Sequence, residues 1–130
     1  RYNLSDAILI KENHIHVAGG IRNAIERVRA HSKEKIEIEC SSLQDVKDSV
    51  EMKVDRVLLD NMSNEMLTQA LELIPDWVQA EASGNMTVDR VKSVAELGVD
   101  FISVGAITHS APTADISLLF DWQESMMAPI

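Results

Sequence analysis

At 130 residues, 45% hydrophobic and 25% charged, the chain has ordinary globular make-up and is long enough for one core. Its net charge of -9 argues against nucleic acid as a partner, since phosphate backbones need a basic face, but leaves room for an anionic small molecule in a locally positive pocket. No apolar run approaches the roughly 18 residues of a membrane span, no signal-peptide pattern is visible, and the single cysteine, Cys40, excludes an intramolecular disulfide, so a reducing compartment, the cytoplasm, is expected.

The chain begins on Arg1 without a Met, which suggests a processed chain or a piece of a longer one. Residues 7–11, Ala-Ile-Leu-Ile-Lys, read as a strand ending on a lysine. The segment 14–18 and Gly19-Gly20 lead into a helix with Ile21, Ala24, Ile25 and Val28 on one face. Residues 36–40 alternate and end near a carboxylate, and Ser42 is placed to cap a helix bearing Leu43, Val46 and Val50. Residues 56–60, Arg-Val-Leu-Leu-Asp, are a short buried-type strand delivering an acid to its end. Ser63 then caps a helix through Met66, Leu67, Ala70, Leu71 and Ile74, which Pro75 stops.

The stretch 77–84 repeats the strand, with Trp77 packing at its start, and Thr87 caps a helix whose apolar stripe is Val88, Val91, Val94 and Ala95. Gly98 is placed to end that helix. Residues 101–105 make a fifth strand, ending in small residues, and 115–120 a sixth, while Trp122 covers the end of the assembly. Glu39 to Asp60 is 21 residues, Asp60 to Ser83 is 23, and Gly84 to Gly105 is 21. That near-constant period is a repeated βα unit, and right-handed crossovers would lay the strands parallel with their C-terminal ends on one rim. Lys11, Glu39, Asp60, Ser83, Gly84 and Gly105 would converge there. A complete eight-unit barrel typically takes about 250 residues. The expected fold is therefore α/β, an incomplete (β/α) barrel of about six strands.

Six motifs run in register: Leu9-Ile10-Lys11-Glu12-Asn13-His14-Ile15, Ala18-Gly19-Gly20-Ile21, Glu37-Ile38-Glu39, Leu59-Asp60-Asn61-Met62, Glu81-Ala82-Ser83-Gly84, and residues 103–110 from Ser103 to Ser110. Together they resemble the quinolinate phosphoribosyltransferase family, also called nicotinate-nucleotide pyrophosphorylase (carboxylating). The resemblance implies that quinolinate and phosphoribosyl pyrophosphate give nicotinate mononucleotide, pyrophosphate and carbon dioxide, with Mg2+, in NAD biosynthesis. It implies that Arg1 and Lys11 hold the quinolinate carboxylates. Glu39 and Asp60 would hold the ribose hydroxyls and the magnesium-bound pyrophosphate end, and Ser83, Gly84, Gly105 and His109 would surround the sugar-phosphate. It further implies that residues 1–130 are the C-terminal part of a catalytic barrel, lacking an N-terminal α/β domain and the first strands, and that the full-length protein is a homodimer.

The residue chemistry is compatible with those roles. A dicarboxylate needs fixed cations, and lysine supplies a compact one. Displacing pyrophosphate builds positive charge at the ribosyl carbon, which nearby carboxylates stabilise. Mg2+ takes one or two carboxylates plus substrate phosphates, a role open to Glu39 and Asp60. Ser83 and the glycines would offer backbone N–H groups to a phosphate at a helix start.

Two other readings stand beside this one: an aldolase-like barrel lyase with Lys11 as Schiff-base nucleophile, and a non-catalytic barrel fragment or paralogue. His14 and His16, two apart, do not share a helix face and have no third ligand at zinc spacing; His14 is expected to pack or to support Lys11. Cys40 has no activating base in view and reads as core. Glu81 is divided between supporting the site and filling the barrel interior.

Overall fold

A computed structural model describes residues 6–105; Arg1, His109, Trp122 and the sixth strand expected at 115–120 lie outside the described residues. The described elements are β1 (Ala7–Ile10), α1 (Glu12–Ala18), α2 (Ile21–His31), β2 (Lys35–Cys40), α3 (Leu43–Glu51), β3 (Arg56–Asp60), α4 (Asn64–Leu73), β4 (Gln79–Ser83), α5 (Val88–Glu96) and β5 (Phe101–Ile102). All neighbouring strands are parallel, and their spatial order is the chain order, β1-β2-β3-β4-β5. An order that never reverses is the winding of a barrel, whereas doubly wound sheets reverse at a switch point. Five strands of the expected six fall within the described residues.

Alternation along each strand divides the sheet into two faces. Ile10, Ile36, Ile38, Cys40, Val57, Leu59 and Ala82 join Ala18, Ile21, Ala24, Ile25, Val46, Leu67, Ala70 and Val94 of the helices in one core. Burying a side chain such as Ile38, which is fully enclosed, contributes about 2 kcal/mol. The other parity brings Glu37, Glu39, Arg56, Leu58, Asp60, Glu81, Ser83 and Phe101 to the opposite face. For a barrel interior this face is polar, and that polarity positions the site.

Local chemistry explains the boundaries. The hydroxyls of Ser42, Ser63 and Thr87 accept from the backbone N–H of Asp45, Met66 and Arg90, and Asp45 returns a bond to the Ser42 N–H at 3.0 Å, so each expected cap forms. Asp55 and Asp100 act as matching clasps just before β3 and β5. Their carboxylates accept from Ile36 N–H and Ala80 N–H at 2.8 Å, fixing the register where each strand starts.

One segment without an expected element is filled in, and two expectations are corrected. The segment 14–18 belongs to a helix, α1, closed by Gly19 at φ +79 with the Gly20 N–H reaching the Ile15 carbonyl at 2.9 Å; at seven residues it was too short to show a period. The buried side of α5 runs through Val91, Val94 and Leu97, whereas Val88 is 89% exposed and Ala95 is exposed, because the helix's first turn has nothing described packed over Val88. Trp77 is 56% exposed in the turn before β4, and it is Val78 that enters the core.

Candidate active site at the carboxyl rim

Lys11 follows β1 directly and is the N-cap residue of α1. The β1–β2 register pairs Leu9 with Glu37 and Ile10 with Ile38, so the next step sets Lys11 level with Glu39. The Lys11 backbone N–H donates to His14 Nδ1 at 2.9 Å, so His14 fixes the start of α1 on which Lys11 sits. Among the described residues no group of three or more His, Cys, Asp or Glu side chains is arranged to hold a metal by itself.

Asp60 ends β3 and is held from two sides. The Ser83 hydroxyl donates to its Oδ1 at 2.6 Å and the Asn61 side-chain amide to its Oδ2 at 2.9 Å. The Asn61 backbone N–H donates to the Ser83 carbonyl at 3.1 Å, and Asn85 Nδ2 donates to Asn61 Oδ1 at 3.0 Å. The loops after β3 and β4 thus interlock across Asp60. Gly84 is obligatory in this lock: its φ is +79, and a Cβ there would stand 2.8 Å from the Asn61 backbone nitrogen. Gly105, three residues past β5, is exposed and has open space around its Cβ position.

Burial pushes the Glu39 carboxyl above the ordinary glutamate range, the Asp60 charge adds to the rise, and Lys11 opposes it. The three groups share one rim by strand register. Ser83 and Gly84 are not at a helix start. Their loop runs through Asn85 and Met86 before Thr87 caps α5, and Ser83 is turned onto Asp60.

Beneath the rim lies a cation whose place the sequence did not disclose. Arg56, at the start of β3, donates to Glu81 Oε2 at 3.1 Å and to Gln79 Oε1 at 2.9 Å, approaches Glu37 at 3.9 Å and covers the Phe101 ring at 4.1 Å. Ser103 Oγ donates to the other oxygen of Glu81. Glu81 is thereby placed in the interior as the link between Arg56 and the strand end of β5. The available signal was parity: Arg56, Leu58 and Asp60 alternate with Val57 and Leu59. Cys40 packs against Ser49 in the core, and burial pushes its thiol up to about 12, which keeps it protonated and unreactive.

Parallel strands wound in sequence order, with a lysine and two carboxylates on their carboxyl rim, define a β/α-barrel domain with an ionisable site. The family model "Quinolinate phosphoribosyl transferase, C-terminal domain" matches residues 1–119. The chain is 45% identical over 93% of its length to a nicotinate-nucleotide pyrophosphorylase [carboxylating], chloroplastic, of Oryza sativa subsp. japonica, covering 38% of that protein. It is 40% identical over 91% of its length to a probable nicotinate-nucleotide pyrophosphorylase of Archaeoglobus fulgidus, covering 47% of it. The crystal structure of the nicotinate-nucleotide pyrophosphorylase from Ehrlichia chaffeensis superposes with a TM-score of 0.80 at 42% identity, over 85% of this chain and 40% of that one. This chain belongs to the quinolinate phosphoribosyl transferase C-terminal domain family. It spans less than half the length of these relatives. Among the described residues no helix is long and apolar enough to cross a membrane.

Proposed function

We propose that the chain supplies the sugar-phosphate side of the site and part of its hold on quinolinate in a phosphoribosyltransferase that joins quinolinate to phosphoribosyl pyrophosphate. The C1–pyrophosphate bond breaks with its electron pair leaving on pyrophosphate, and the pyridine nitrogen lone pair forms the new bond to C1. The adjacent carboxylate leaves as carbon dioxide while the electron pair left on the ring carbon takes a proton from water, giving nicotinate mononucleotide. The observation that carries this reading is the Asp60 carboxylate, doubly held by Ser83 and Asn61 and electrically coupled to Glu39, in a chain of this family.

Each residue then has a chemical task. Lys11, exposed at the rim, holds a quinolinate carboxylate, and Arg1 would be its partner in that role. Glu39 and Asp60 bind ribose hydroxyls and stabilise the positive charge that grows at C1 as pyrophosphate departs. Ser83 aims Asp60 rather than offering its hydroxyl to phosphate, while Gly84, Gly105 and His109 shape the sugar-phosphate pocket. Glu39 and Asp60 also suit Mg2+, since two carboxylates complete their share of a shell that substrate phosphates and water fill. Asp60 keeps lone pairs for this beyond the two bonds it accepts. When bound, Mg2+ would neutralise pyrophosphate as it leaves.

Lys11 is exposed to solvent, whereas a Schiff-base lysine is desolvated or paired with another cation, so the aldolase-like reading gains no support. An apolar groove of about 700 Å³ runs beside β1, lined by Ile8, Ile10, Val17, Ala18 and Val28. It fits a surface that further barrel strands of a longer protein cover. The full-length protein is proposed to be a homodimeric enzyme of the cytoplasm, and this chain alone to have little or no activity.

The test is nicotinate mononucleotide formation from quinolinate, phosphoribosyl pyrophosphate and Mg2+ by the full-length protein and by this chain. Product from the former and silence from the latter is expected. If the full-length protein made no product, a paralogue of other function would replace this reading; turnover by the chain alone at the parental rate would end the claim that its site is partial.

A further inference from the structure

Building on that reading, we propose that Arg90, on the outer helix α5, is a positioning residue for the Asp60 carboxylate. Arg90 NH1 donates to the Gly84 carbonyl at 3.0 Å and to the Asn85 carbonyl at 3.4 Å, and its NH2 donates to the Met62 carbonyl. One guanidinium therefore joins the loop after β3 to the loop after β4. These are the same loops that meet across Asp60.

The two loops need such a clamp. Asn61, Gly84 and Asn85 all have positive φ, at +53, +79 and +47, the left-handed region that glycine and, among other residues, asparagine adopt in turns. Without that hold, a shift of the loop at Asn61 would swing its amide from Asp60 Oδ2 and its backbone N–H from the Ser83 carbonyl, leaving the Ser83 hydroxyl as the one donor aiming the carboxylate. Arg90 holds the carbonyls on the far side of those turns, so the N–H groups and side chains on the near side keep their direction.

Arg90 is itself fixed. Its backbone N–H donates to the Thr87 cap at 3.3 Å, and its carbonyl accepts from Ser93 Oγ, which accepts in turn from Asn64 Nδ2 of α4. A planar, permanently charged fork with five donors can reach three carbonyls at once; the compact ammonium of lysine cannot. The proposal rests on geometry between repeats: residue 90 contacts residue 62 as well as its own loop.

The test compares wild type, Arg90→Met and Arg90→Lys in the full-length protein by backbone hydrogen exchange and steady-state kinetics. In both variants the amides of residues 61–62 and 84–86 should exchange roughly tenfold faster or more, while those of β2 and β3 keep wild-type rates. The kcat should fall roughly 10- to 100-fold, with KM for quinolinate within about twofold. Wild-type exchange in both loops of Arg90→Met would overturn the clamp. So would recovery of both readouts by Arg90→Lys, which would leave charge alone as the cause, or faster exchange spread through the strands, which would show a general structural role. Hydrogen exchange judges the clamp even if the wild-type protein makes no nicotinate mononucleotide, an outcome that would count against the functional reading instead.

Discussion

The Ser83 hydroxyl donates to Asp60 Oδ1 at 2.6 Å across a register in which these two residues are direct partners on β3 and β4. A hydroxyl on a neighbouring strand is a stiff donor, because parallel pairing fixes both Cα positions. Ser83→Ala should therefore free one carboxylate oxygen of Asp60 without disturbing the sheet. A loss of about 1.5 kcal/mol in unfolding free energy is expected for a hydrogen bond to a charged group. Turnover should fall roughly tenfold, the share that about 1.4 kcal/mol represents. Urea unfolding and initial-rate kinetics on the same preparation check both.

Gly84→Ala should be far worse than an ordinary glycine replacement. Its φ of +79 opposes any Cβ, and the new methyl would meet the Asn61 backbone nitrogen at 2.8 Å as well as its side chain. Strain and overpacking together should cost about 3 kcal/mol. Adding Asn61→Ala should restore little, since the backbone clash remains. Thermal unfolding of the single and double variants decides; a double variant as stable as Asn61→Ala alone would remove this explanation.

Arg56 neutralises an interior pair of acids, so its removal should cost more than its own bonds. Arg56→Met leaves Glu37, only 6% exposed, and Glu81 without their shared cation. A destabilisation of about 3 kcal/mol is expected, much of it the penalty of stranded charge. Adding Glu81→Gln should recover part of that loss. A double-mutant cycle with strictly additive effects would show that the two side chains do not communicate.

Glu39 makes stability depend on pH in a defined direction. Its folded-state pKa is raised, first by burial and then by Asp60, so the folded chain holds this proton more tightly than the unfolded chain does. Its contribution is fully favourable below the ordinary glutamate range and declines as pH rises through the window between the ordinary and the raised value. Above that window the cost is constant. Glu39→Gln should abolish the decline and gain on wild type at neutral pH, while still losing activity. In carboxyl-carbon NMR, Asp60→Asn should move the Glu39 midpoint down and Lys11→Ala should move it up.

The strands, their parallel order and the caps at Ser42, Ser63 and Thr87 could be read from the sequence because each is written within a few residues of itself. A βα period and a hydroxyl three positions before the backbone N–H that donates to it are local signals. Glu39 and Asp60 could be placed on one rim from the period, and Lys11 because it closes a further apolar run read as a parallel strand. Asn61, Arg56 and Arg90 acquire their roles from partners in another repeat, Arg90 from Met62 and Arg56 from Gln79 and Glu81; within one repeat, parity sets Arg56 on the face of Asp60 but does not show what it binds. The same limit explains α1, whose defining feature is the Gly19 turn rather than a stripe, and Val88, which matches a helical period yet has nothing described to pack against.

The most direct single measurement is the turnover number of Asp60→Asn in the full-length protein, with quinolinate, phosphoribosyl pyrophosphate and Mg2+ all saturating. The substitution keeps the size of the side chain while removing the charge that would face the developing positive carbon, and it gives up one of the two bonds that Asp60 accepts. Loss of one such electrostatic contact should lower kcat by roughly 100-fold or more, with unfolding still cooperative and stability lowered by no more than about 1.5 kcal/mol. Turnover near the wild-type value would contradict the assignment of Asp60 to the reacting sugar.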